Sequence, residues 1–73
     1  MSGTTAEITV VANGRTYNVA DGMALPEFIS TLGLAPERVV VERNGEALTQ
    51  AEARAVALAD GDKLEIVRIV AGG

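Results

Sequence analysis

An α+β domain, with strands in the order ββαββ and one main helix lying on one face of a mixed sheet, is predicted by three features of the chain. Two Asn-Gly pairs, Asn13-Gly14 and Asn44-Gly45, each follow a run rich in β-branched residues. A single helical stripe, Leu25, Phe28, Ile29 and Leu32, lies between them. The alternating run Lys63 to Val70 closes the pattern. Strand periods of two on either side of one 3.6-residue period favour a helix laid across strands over a helical bundle or a pure sandwich.

The elements follow in order. From Glu7 to Ala12, Ile8, Val10 and Ala12 share one face and Glu7, Thr9 and Val11 the other, the pattern of a half-buried strand. Asn13-Gly14 supplies the positive-φ pair of a type I′ turn, so Arg15 to Val19 returns as a second strand. Asp21-Gly22 breaks that strand, and a helix is expected over Ala24 to Leu32. Pro26 is tolerated in its first turn, Glu27 complements its dipole, and Gly33 stops it. Ala35 to Arg38 connects to a third strand, Val39 to Arg43, whose unbroken valines point to an inner position. Asn44-Gly45 turns the chain into Glu46-Ala47-Leu48. Thr49 to Ala59 offers a weak stripe of Ala51, Ala55, Val56 and Leu58, equally consistent with a short helix or an irregular excursion. Asp60-Gly61-Asp62 is a turn, and Lys63 to Val70 is the last strand. This is the ordering of a β-grasp (ubiquitin-like) fold, in which the first and last strands lie side by side and parallel at the sheet centre.

At 73 residues, the chain is expected to form one domain, 1–73, with 71–73 as a flexible C-terminal tail. It has no cysteine, histidine or tryptophan, which excludes zinc fingers, thiol nucleophiles, Ser-His-Asp triads and disulfide staples. Aromatic residues make up 3% of the chain, so aliphatic side chains must build the core. A net charge of −4 disfavours phosphate backbones and anionic lipid surfaces, so neither a nucleic acid nor a membrane is expected as partner. The N-terminal residues lack a basic segment followed by an apolar one, and no apolar run approaches the roughly eighteen residues of a spanning helix. A cytoplasmic location is expected.

Side-chain chemistry has few candidates. Asp60, Asp62 and Glu65 form an acidic cluster, but Asp-Gly-Asp before a strand is ordinary turn chemistry and lacks the ligand count of a calcium loop. Ser30 and Thr31 have no base beside them in the helix, and Glu27, Glu37 and Glu42 show nothing that marks an acid–base pair. No catalytic or metal site is assigned. The chain closes with Ala71-Gly72-Gly73. A terminal segment almost without side chains can thread a narrow channel and present its carboxylate to the α-phosphate of ATP, where any Cβ would obstruct.

Val39-Val40-Val41-Glu42-Arg43-Asn44-Gly45-Glu46, then Leu58 to Val67 with its Asp60-Gly61-Asp62 turn, then Ala71-Gly72-Gly73, resemble the ThiS family of bacterial sulfur carrier proteins over nearly the whole chain. The resemblance implies a protein that is not an enzyme but a substrate handed between enzymes. An E1-like (ThiF-like) adenylating enzyme would use ATP and Mg to activate the Gly73 carboxylate. A persulfide derived from a cysteine desulfurase would convert it to a thiocarboxylate. Thiazole synthase (ThiG-like) would take that sulfur for the thiazole ring of thiamin. Gly73 would carry the sulfur, Gly72 and Ala71 would thread the partner, and this chain itself would bind no cofactor.

One further expectation comes from the alternation of the last strand. With the helix over Leu64 and Ile66, Val67 and Ile69 face away from it and, with Val11 of the neighbouring strand, would form an apolar docking patch beside the tail. An Ala-rich segment folded over them would instead make them core. Other readings of the same features are a carrier for another pathway, similar to the small subunit of molybdopterin synthase, a ubiquitin-like protein modifier, and an interaction domain whose terminal glycines are incidental.

Overall fold

The computed structural model describes residues 6–70. Strand β1 (Glu7–Ala12) and strand β2 (Arg15–Ala20) form an antiparallel hairpin, followed by helix α1 (Leu25–Thr31), strand β3 (Val39–Arg43), the short strand β4 (Glu46–Ala47), helix α2 (Gln50–Ala55) and strand β5 (Lys63–Arg68). The sheet order is β2-β1-β5-β3-β4. Strands β1 and β5 are parallel, and β5 is antiparallel to β3, so the last strand occupies the centre of a mixed β-grasp sheet.

The hairpin forms where the sequence places it. Asn13 and Gly14 have φ of 52° and 79°, the left-handed pair that matches the twist of adjoining strands. Ile8, Val10 and Ala12 are buried on one face of β1 and meet Leu64 and Ile66 of β5 and Val39 and Val41 of β3 in one core. Leu25, Phe28 and Ile29 of α1 cover that face, and Tyr17 stacks edge-on against Phe28 with ring centres 5.3 Å apart.

Helix α1, at seven residues, is well short of the roughly twelve to fifteen that a stable isolated helix requires, so its ends are held from outside. Ala24 offers no side-chain cap, and the Leu25 N–H donates instead to the Val56 carbonyl at 3.0 Å. At the other end Gly33, with φ of 80°, lets its own N–H reach the Ser30 carbonyl while the Leu34 N–H reaches that of Ile29. That is a Schellman closure.

The Thr49–Ala59 segment resolves in favour of a helix, α2, on the same side of the sheet as α1. Its inward residues are Ala53, Val56 and Leu58; Ala51 and Ala55 of the expected stripe are exposed. The start of α2 is fixed by a reciprocal cap: the Glu52 N–H donates to Thr49 Oγ1 at 3.1 Å and the Thr49 N–H to Glu52 Oε1 at 2.8 Å. Strand β3 has neighbours on both sides, as its valines indicated, yet Val40 is 49% exposed because only one face of the sheet is covered.

Candidate functional site: the exit strand and its open face

Strand β5 is the last element of the fold and is held from both Asn-Gly turns. Its N-terminal half takes backbone bonds from the Val11 N–H to the Asp62 carbonyl and from the Asn13 N–H to the Leu64 carbonyl, both 2.9 Å. There β1 ends, and the Asn13 side chain continues the ladder. Its Nδ2 donates to the Ile66 carbonyl at 3.0 Å, and its Oδ1 accepts from the Ile66 N–H at 2.7 Å. Asn44 does the same work from the other turn: its Oδ1 accepts from the Lys63 N–H at 2.9 Å, and its own N–H donates to the Lys63 carbonyl at 2.8 Å. The residue that tolerates positive φ in each Asn-Gly turn is therefore also a clamp on the exit strand. The turn signal was legible in sequence; this second role was not, because it depends on β5 lying between the two turns.

Asn13→Gly separates the two roles. It keeps the left-handed backbone and removes both amide bonds, so a stability loss of about 1–3 kcal/mol and faster hydrogen exchange at the Ile66 amide are expected. Unchanged exchange at Ile66 would show that the ladder closes without the side chain.

Asp62, 4% exposed, joins the two motifs on either side of it. Its Oδ2 accepts from Arg43 Nε at 3.1 Å and from the Ala59 N–H at 2.9 Å, with Arg43 Nη2 at 3.0 Å, while its Oδ1 accepts from Asn44 Nδ2 at 3.1 Å. Burial pushes the carboxyl up, but the Ala59 amide, Asn44 and Arg43 together outweigh it and hold Asp62 below the usual carboxylate range. Asp60 Oδ1 accepts from the Thr9 N–H at 2.8 Å, and Glu65 lies on the opposite face of β5 from Leu64 and Ile66. The acidic residues of this turn are thus spread between structural bonds and the open face. Thr31 Oγ1 donates to the Phe28 carbonyl, and Glu27, Glu37 and Glu42 stand on three separate elements.

The face of the sheet turned away from α1 carries the apolar surface. Val67 is 61% exposed and Ile69 52%; α2 does not cover Val67, since it packs on the core side, where Gln50 Nε2 reaches the Val39 carbonyl at 3.1 Å. Val67 sits directly across from Val40, and two pairs further, on the same face, Glu65 sits across from Glu42. Val11 does not join this patch. The parallel register sets it beside Lys63, four residues before Val67 and about 13 Å away along the strand. The neighbour that alternation alone missed is Val40, whose position across from Val67 depends on the β3–β5 register. Beyond the patch the Ile69 N–H donates to the Arg38 carbonyl at 2.8 Å, and Arg38, Arg68 and Ile69 border a shallow groove of about 280 Å³. Ala71, Gly72 and Gly73, the expected threading and sulfur-carrying residues, lie outside the described residues.

A thiazole synthase of Magnetococcus marinus is 38% identical over 61 residues, which cover 84% of this chain and 19% of that protein, so the chain spans about a fifth of the length of that curated relative. Among solved structures, the crystal structure of the thiamine biosynthesis protein ThiS from Geobacter metallireducens superposes with a TM-score of 0.74 at 33% identity, covering 90% of this chain and all of that one. A designed protein based on human erythrocytic ubiquitin shares the fold, with a TM-score of 0.54 at 19% identity over 92% of this chain and 95% of the other. The match to the sequence model of the ThiS family runs from residue 3 to residue 73, through both Asn clamps, the Asp62 junction and the closing Gly72-Gly73, and the chain belongs to that family.

Proposed function

We propose that this chain is a sulfur carrier for thiamin biosynthesis whose reactive group is the Gly73 carboxylate. An E1-like adenylating enzyme joins that carboxylate to AMP from MgATP with release of pyrophosphate. The terminal sulfur of a persulfide, charged by a cysteine desulfurase, displaces AMP, and a thiol cleaves the resulting acyl disulfide to leave a thiocarboxylate on Gly73. Thiazole synthase then takes the sulfur. The chain contributes no side chain to these steps; it contributes a docking face, a firmly held strand and a slender arm. Fully extended, residues 69–73 reach roughly 17 Å beyond Arg68, enough to enter a partner's site while the sheet stays outside it.

The observation that carries this reading is the family match, which runs through Gly72-Gly73 and includes a last strand, Lys63–Arg68, clamped by Asn13, Asn44 and Asp62. The similarity to a thiazole synthase supports the choice of thiazole formation as the destination. The test is the intact mass of the chain after incubation with adenylating enzyme, MgATP and a persulfide source. A gain matching replacement of one oxygen by sulfur is expected, and none when Gly73 is deleted. No gain under conditions that charge an authentic carrier would overturn the proposal, and failure to rescue a thiamin auxotroph would remove the thiamin assignment. Gly72→Leu is expected to lower the charging rate about a hundredfold, since a side chain there displaces the carboxylate from the nucleotide, with no change in thermal unfolding.

A further inference from the structure

We propose that the groove between the outer edge of β2 and α1 is a second interaction site, which takes an extended partner peptide of basic–x–apolar–x–apolar sequence as an added antiparallel strand. Strand β2 ends the sheet on its side, and the opposite edge, β4, is only two residues long. The free hydrogen-bonding groups of β2 follow from the register. Thr9, Val11 and Asn13 of the first hairpin direct their backbone groups to the β5 side: the Val11 and Asn13 N–H groups reach the Asp62 and Leu64 carbonyls, and the Thr9 carbonyl accepts from the Gly61 N–H. By alternation, Ile8, Val10 and Ala12 exchange bonds with their partners Val19, Tyr17 and Arg15. The backbone groups of Thr16 and Asn18 and the N–H of Ala20 therefore point outward, while the Ala20 carbonyl accepts from the Met23 N–H. Edges of this length are usually blunted by lysine, proline or a bulge. The β2 segment Arg15–Ala20 contains neither lysine nor proline, and its pairing with β1 runs without interruption from Ala12↔Arg15 to Glu7↔Ala20.

Beside this edge lies a groove of about 690 Å³, within the size range of ligand sites. Tyr17, Val19, Met23, Phe28 and Leu32 make its floor and walls, and all but Phe28 are partly exposed. In an added strand, the residues opposite Tyr17 and Val19 point into this groove, and the bonds to Thr16 and Asn18 supply affinity that does not depend on side-chain identity. Charge fixes the third position. Asp21 and Glu27 line the same end of the groove, and among the described residues neither has a basic side chain within ion-pair distance. An antiparallel peptide meets that end first, so its leading residue is Lys or Arg and its third and fifth are apolar. The lining residues belong to β2, the turn after it and α1, with none from β5, so the site is independent of the carrier chemistry.

The test is a ¹⁵N NMR titration of the whole chain with the capped peptide Lys-Thr-Val-Thr-Leu-Thr, whose last residue reaches Thr16, read by amide shifts and hydrogen exchange. The Thr16, Asn18 and Ala20 amides are expected to shift and become protected. Replacing the leading lysine by glutamate, or Met23→Lys in the protein, is expected to weaken binding about tenfold or more. Should Met23→Lys not fold, methylating the backbone nitrogen of the peptide's fourth residue, opposite Asn18, must weaken binding instead. No protection at Thr16 and Asn18, shifts centred on Val40 and Val67, or equal binding of the glutamate peptide would each overturn the proposal. So would protection that grows with protein concentration in the absence of peptide, which would make the occupant a second copy of the chain.

Discussion

Asp62→Ala is expected to lower stability by about 3 kcal/mol, more than half the total of a domain holding about 5 kcal/mol. The variant removes the acceptor of four donated contacts at once, from Arg43 Nε and Nη2, the Ala59 N–H and Asn44 Nδ2. Arg43 is 30% exposed and can turn to water, while the Ala59 N–H and Asn44 Nδ2 lose their acceptor at a part-buried site. Asn44 then loses the partner that orients its amide toward Lys63, so the N-terminal end of β5 loosens as well. The same group sets an acid limit. Because the folded carboxyl titrates below its unfolded value near 3.9, the unfolded chain binds more protons between the two values and stability falls with pH there. The contribution of Asp62 is full above that unfolded value and is lost as pH falls through the folded one. Urea midpoints measured from pH 7 to pH 3 should therefore show a wide gap between the native chain and Asp62→Asn that narrows at the acid end. A gap independent of pH would mean that the charge of Asp62 contributes nothing and its shape everything.

Much of this architecture is legible in the residues, because it rests on local signals. The hairpin follows from alternation around Asn13-Gly14, and α1 from a stripe that Gly33 ends. What stayed hidden depends on contacts distant in sequence. Asp62 reads as one half of a turn, yet its partners lie 18 and 19 positions earlier, at Asn44 and Arg43. Asn13 reads as a turn residue, and its partner Ile66 lies 53 positions away. Helix α2 is a different case: Thr49-Gln50-Ala51-Glu52 spells a capping box, but the alanines around it blur which face is inward, and the choice of Ala53 over Ala51 and Ala55 is made by packing. Val11 was misplaced for a reason of geometry. Alternation tells which face a residue occupies; only register tells how far along the strand it sits.

Val67→Asp is expected to reduce docking on the proposed adenylating enzyme, and with it charging of Gly73, about thirtyfold or more, the loss typical of a truncated central contact. The fold should remain. Val67 is 61% exposed and touches the core through no buried neighbour on its face, so the change opens no cavity, and circular dichroism and the melting temperature should stay close to those of the native chain. A second substitution separates docking from stability by sign. Glu42 and Glu65 stand directly opposite one another, a like-charge pair that destabilises the free sheet. Glu65→Lys relieves it and is expected to stabilise the domain by about 0.5 kcal/mol, while removing from the docking face a charge that basic residues of the partner would meet. Calorimetric titration should then show weaker binding by a more stable protein, with a deficit that shrinks as salt screens the interaction. A chain whose Val67 variant unfolds has that residue in its core. One whose Val67 and Glu65 variants are charged at the native rate docks by another surface, because neither loss of stability nor damage to Gly73 is available to explain the result.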